Sequence, residues 1–105
     1  MPDNRHQRNQ QLRERISYPN DYDVIIHNDD VTTMEFVVSV LRHVFYKSTE
    51  DATMLMLDVH QNGSAVAGTY SYDIAASKVS KALTMANEAG FPLRFTIEPT
   101  AELPF

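Results

Sequence analysis

The spacing of hydrophobic residues changes several times along the chain, and each change marks an element. Tyr22-Asp23-Val24-Ile25-Ile26-His27 is short, β-branched and apolar, the pattern of a buried strand. Asn28-Asp29-Asp30 stops it, because such side chains favour turns and compete with ladder bonding. Thr32 and Glu35 then have the Thr-x-x-Glu spacing of a capping box, which predicts a helix start. Phe36, Val37, Val40, Leu41, Val44 and Phe45 follow at three- and four-residue steps, giving that helix one apolar stripe. Ser48 is placed to cap a second helix, with Glu50 and Asp51 complementing its dipole. Ala52, Leu55, Met56 and Val59 form its apolar side, and Asn62-Gly63 ends it.

Residues 64–70 read as a strand with a possible bulge at Gly68. Ser71 caps a third predicted helix with Ile74, Ala75, Val79, Ala82, Leu83 and Ala86 on its apolar side, closed by Gly90 and stopped by Pro92. Leu93-Arg94-Phe95-Thr96-Ile97-Glu98 alternates, which marks a strand with one buried face. The order β-α-α-β-α-β predicts an α+β fold, a small antiparallel three-stranded sheet covered on one face by three helices. Residues 1–21 are rich in Gln, Asn and Arg, and Leu12, Ile16 and Tyr18 are their only large apolar residues beyond Met1. They are expected to form a mobile tail, joined through the turn Tyr18-Pro19-Asn20-Asp21 to a core domain over 22–105.

Composition narrows the function classes. The chain has 105 residues and no cysteine, so disulfides, thiolate nucleophiles and thiolate zinc sites are excluded. No run approaches the length of a membrane span, and the first fifteen residues lack the apolar stretch of a secretory leader, so a cytoplasmic protein is expected. Residues 1–21 carry four arginines against three acids, and the rest carry five bases against eleven acids. Such a core repels phosphate backbones, so nucleic acid is not expected as a partner; with no run of membrane-span length, a membrane is not expected as one either. A monomer is expected.

Three features are candidates for chemistry: the corner His27-Asn28-Asp29-Asp30, the lone His60 at the end of the second helix, and the methionines Met34, Met54 and Met56. No glycine-rich phosphate loop, metalloprotease motif, EF-hand or nucleophile elbow is present, so any site is assembled in space. The corner reads as a turn with capping carboxylates, or as an acceptor cluster suited to a primary ammonium, which has three donors and no acceptor. His60 near a helix C-terminus reads as a partner for free carbonyls, or as an acceptor nitrogen that joins a carboxylate around a cation. The methionines are core by default, but Met34 lies beside the acidic corner, where a flexible thioether suits an adaptable apolar pocket.

The run from Val24 through Asn28-Asp29-Asp30-Val31-Thr32-Thr33-Met34-Glu35-Phe36 to Val37 closely resembles the opening of the ClpS family of bacterial N-end-rule adaptors. Ala52 to Gly63, containing Met54-Leu55-Met56-Leu57-Asp58-Val59-His60, is a second match; Gly68 to Lys78 and Phe91-Pro92-Leu93 are two more, all in order across 22–98. The resemblance implies an adaptor, not an enzyme, that binds proteins beginning with Leu, Phe, Tyr or Trp and hands them to the ClpA unfoldase of the ClpAP protease. By position it implies that Asn28, Asp29 and His60 hold the α-amino group and that Thr32, Met34, Val37, Met56, Val59 and Leu93 form or rim the side-chain pocket, with Met34 as a gate. It implies an unfoldase contact at Asp73 and Lys78, a tail engaged during delivery, and neither metal nor cofactor. Three positions depart from the family: Asp73 for the usual glutamate, Thr33 for proline, and His27 for an apolar residue.

Two other classes are set against this reading. A metal hydrolase using His27, Asp29, Asp30 and His60 has ligand types but no accompanying signature. A structural module like the C-terminal domain of a ribosomal stalk protein shares the element order but leaves Asn28, Asp29 and His60 without a task.

Overall fold

A computed structural model describes residues 21–100. The elements are β1 (Asp21–His27), α1 (Met34–His43), α2 (Thr49–Asn62), β2 (Ser64–Ser71), α3 (Tyr72–Ala89) and β3 (Arg94–Pro99), in the expected order. The sheet order is β2-β1-β3, both pairings antiparallel, so the most apolar strand lies in the middle. Val24 and Ile26 are fully buried beneath the helices, while the alternate residues Asp23, Ile25 and His27 are only partly covered. The strand begins one residue before the expected domain boundary. The rest of the expected tail and turn, together with residues 101–105, lies outside the described residues.

The core joins the inward residues of the sheet to one stripe from each helix. Val37, Val40, Leu41, Val44 and Phe45 come from α1 and the turn after it, Ala52 and Val59 from α2, and Ala75, Ala82 and Ala86 from α3. The small side chains of α3 allow close approach to the sheet. Ile74, expected on that stripe, is instead 50% exposed, because successive helix positions are about 100° apart and Ala75 faces inward.

The start of α1 differs from the expectation. Thr33, not Thr32, is the N-cap: its hydroxyl oxygen accepts from the Phe36 N–H at 3.2 Å. The Thr32–Glu35 capping box does not form, because the Thr32 hydroxyl is donated to Asp29. Thr33 therefore precedes the helix rather than opening it. Ser48 caps α2 as expected, accepting from Asp51 N–H at 3.0 Å. Ser71 stands at the N-cap of α3 without a side-chain capping bond. Gly63 and Gly90 end α2 and α3 at φ +90° and +79°, the left-handed region open to glycine.

In β2 the ladder slips by one residue: Gly68 faces Val24 and Val66 faces Ile25, leaving Ala67 as the extra residue. The bulge therefore falls beside the glycine that suggested it, and Ala67 and Gly68 are both buried.

Candidate functional site

The site is built where β1 meets the end of α2. His27 lies opposite Ser64 in the β1–β2 ladder, and one residue later the Asn28 N–H donates to the Gly63 carbonyl at 2.9 Å. The acidic corner is thus fixed to the last turn of α2, which carries His60. Residues distant in sequence share one mouth because the left-handed Gly63 turns the chain from α2 directly into the strand beside β1.

Asp29 organises the corner. Its Oδ1 accepts from the N–H groups of Val31 and Thr32 at 2.8 and 2.7 Å, and its Oδ2 accepts from the Thr32 hydroxyl at 2.7 Å. Burial alone would push the carboxyl pKa up. The backbone N–H of Thr32, its hydroxyl and the N–H of Val31 outweigh burial and hold it below the ordinary value. Asp29 is therefore anionic at neutral pH. A carboxylate has about four acceptor sites, so Oδ2 retains one beyond the bond from Thr32.

A cavity of about 360 Å³ opens at this corner, lined by residues 28–34 together with Val37, Met56, Val59 and His60. It brings together Asn28, Asp29, Thr32, Met34, Val37, Met56, Val59 and His60 of the expected set. Asn28 and His60 are exposed at the mouth, and among the described residues neither side chain has a hydrogen-bond partner. Val37 and Val59 are buried and Met56 partly so, giving an apolar wall under a polar rim. Leu93 is 4% exposed and belongs to the core rather than the cavity lining. Thr32 lines the cavity, but its hydroxyl serves to orient Asp29. Asp30, Val31 and Thr33 also line it and were not expected as pocket residues; that the segment from Asn28 to Met34 is continuous is the signal that could have found them.

The second expected surface is less simple. Asp73 is exposed in the first turn of α3. Lys78 is partly buried: its Nζ donates to the Val44 carbonyl at 2.8 Å and lies 4.5 Å from the ring centre of Tyr46 and 5.3 Å from that of Tyr70. Desolvation by burial, then the charges of Lys81 and Lys47, lower its pKa. Tyr46 is the non-glycine residue with positive φ, +56°, among those described, and it follows the last turn of α1. Lys78 thus joins α3 to the C-terminal end of α1.

His27, the apolar-site departure, has a partner: its Nε2 lies 2.8 Å from Thr96 Oγ1 on β3. Among the described residues no group of three or more His, Cys, Asp or Glu is placed to hold a metal ion. Among the same residues, no helix is long and apolar enough to cross a membrane.

The protein-family model described as "ATP-dependent Clp protease adaptor protein ClpS" matches residues 17–96. An ATP-dependent Clp protease adapter protein ClpS from Lawsonia intracellularis is 50% identical over 91 residues, 87% of this chain and 84% of that protein. One from Acetivibrio thermocellus is 53% identical over 81 residues, 77% of this chain and 82% of that protein. The structure of Agrobacterium tumefaciens ClpS2 bound to L-phenylalaninamide superimposes with a TM-score of 0.75 at 43% identity, covering 79% of this chain and 100% of that one. With that fold, that cavity and those relatives, the chain belongs to the ClpS family of ATP-dependent Clp protease adaptor proteins, and it is an adaptor and not an enzyme.

Proposed function

We propose that the cavity binds the free α-amino group and large hydrophobic side chain of proteins beginning with Leu, Phe, Tyr or Trp, and that the chain delivers them to the ClpA unfoldase of the ClpAP protease. One observation carries this reading: a single hollow has Asn28, Asp29 and His60 at its mouth and Met34, Val37, Met56 and Val59 on its wall. A primary ammonium has three protons to place, and an amide oxygen, a carboxylate oxygen and a neutral imidazole nitrogen are three acceptors. Burying a Leu or Phe side chain contributes about 1.5–3 kcal/mol. That gain survives only if the accompanying ammonium is paired and hydrogen-bonded. Reading both features together separates a chain terminus from an internal lysine, whose ammonium lies far from any branched or aromatic group. The solved relative supports the reading, since L-phenylalaninamide joins a free α-amino group to a benzyl side chain.

Asp73 and Lys78 form the proposed unfoldase contact on α3, remote in sequence from the cavity residues. The protein acts as a monomer in the cytoplasm under this reading. Fluorescence anisotropy with a Leu- or Phe-initiated peptide and its N-acetylated twin tests the cavity. Micromolar or tighter binding of the free peptide, lost on acetylation, is expected; equal affinity for the two would refute the reading. Asp29→Ala should weaken the free peptide strongly, because it leaves the ammonium without its counter-charge.

A further inference from the structure

The chain has five methionines and no cysteine, so thioethers are its only sulfur. Met34 and Met56 line the cavity; Met34 is 46% exposed and Met56 partly buried. Met54 is 68% exposed on α2 but is not part of the lining, and Met85 packs against the core. Among the described methionines the most exposed is therefore outside the cavity, and the next most exposed is in its wall.

We propose that Met34 is an oxidation site through which a hydroperoxide shuts off recognition of apolar first residues; the inference rests on the function proposed above. The sulfur lone pair attacks one oxygen of the hydroperoxide, an S–O bond forms and the O–O bond breaks. Sulfur loses two electrons, and the departing oxygen takes them with a proton and leaves as water or an alcohol. The product sulfoxide is polar and a strong acceptor. Val37, Met56 and Val59 in the same lining have no side-chain donor for it; Asn28, Thr33 and His60 carry donors at the polar rim, and a sulfoxide drawn to them leaves the apolar wall. Either the new oxygen is desolvated when a ligand enters, or the side chain turns to water and the wall is lost. Both outcomes remove the apolar contact. The change is reversible, because sulfoxide reductases return the thioether. A bound ligand covers this wall, so it should also shield Met34 from the oxidant and leave Met54 unshielded.

The test uses the full chain, hydrogen peroxide, peptide mapping by mass spectrometry, and anisotropy titration with a fluorescent Leu-initiated peptide. Affinity should fall about tenfold or more, the lower end of what burying an unpaired polar oxygen costs. The fall should track sulfoxide at Met34 rather than at Met54, and methionine sulfoxide reductase should restore binding. Met54→Leu should respond to peroxide as the parent does, and Met34→Leu should lose no further affinity on treatment. Peptide present during treatment should slow oxidation of Met34 and leave that of Met54 unchanged. Unchanged affinity with Met34 fully oxidised, or a loss that tracks Met56 or Met54, overturns the proposal. Failure of the untreated protein to bind the peptide would instead defeat the parent reading, and this inference with it.

Discussion

Thr32→Val removes one hydroxyl and keeps the branched shape of the side chain. The hydroxyl donates to Asp29 Oδ2 at 2.7 Å, while the two backbone N–H bonds to Oδ1 remain. Hydrogen bonds to charged groups contribute about 1.5–3 kcal/mol net. Both residues are partly exposed, so water replaces part of the lost donor, and we expect a stability loss of about 1 kcal/mol. For a domain of this size that lowers the melting midpoint by about 4–8 °C. The pH dependence follows from the carboxyl's lowered pKa. Its contribution is complete above the unfolded value near ~3.9 and is lost as pH falls through the lower folded value. The gap between parent and variant should therefore be widest near pH ~7 and narrow toward pH ~2. Peptide affinity at neutral pH should fall about fivefold, because Oδ2 loses the donor that fixes its direction. Thermal melts by circular dichroism across that pH range, with anisotropy titrations beside them, measure both effects. Equal melts at neutral pH, or a gap as wide in acid as at neutrality, would refute the assignment of Thr32 as the group that orients Asp29.

Four further predictions concern the frame and its surface. Gly63→Ala and Gly90→Ala should each cost about 1–2 kcal/mol, since a Cβ meets nothing within 4 Å at either site and only the left-handed backbone opposes it; urea melts should show similar losses, and peptide binding should suffer at Gly63 alone. Leu41→Ala, at a fully buried position, should cost about 2–5 kcal/mol by equilibrium denaturation. Lys78→Met should cost no more than about 1 kcal/mol, because burial already weakens the charged form whose bond and ring contacts are lost. Asp73→Ala should leave the melt within about 0.5 kcal/mol of the parent, so it separates the proposed unfoldase docking from folding where Lys78 does not.

What could be read in the sequence depended on whether the cause was local. Gly63 and Gly90 stop helices through their own backbone freedom, and Ser48 caps α2 through a bond three residues long. Such signals lie within a few residues. Thr32 shows where this fails: both it and Thr33 precede α1, and only Thr32 has a glutamate at capping-box distance. The carboxylate three residues upstream takes the Thr32 hydroxyl as a donor, and Thr33 becomes the cap. Lys78 and Val44 meet only because α3 crosses the end of α1, which no spacing along the chain reveals. Ile74 lies off the buried stripe for a related reason. Periodicity gives the width of an apolar stripe but not its centre, and the run of alanines sets that centre.

The architecture also explains why one face of Asp29 is internally bonded while the corner still works as an acceptor. A loop that holds a carboxylate with nothing but solvent lets it rotate, and each rotation loses directionality toward a ligand. Here Val31 and Thr32 fix Oδ1 and half of Oδ2, and the Asn28–Gly63 bond fixes the loop itself to α2. The ordering entropy is met in folding rather than in binding. Asn28 and His60, exposed and without partners among the described residues, are the adaptable members of the trio. A carboxylate fixed by three hydrogen bonds, with two exposed acceptors lining the same cavity, suits the proposed ammonium, whose three protons must each find a partner while an apolar side chain sets the depth of entry. The wall below offers Met34 and Met56, the most flexible of apolar residues, where the shape of the entering side chain varies. Under the proposed function, charge is therefore read by the fixed part of the site and shape by the yielding part.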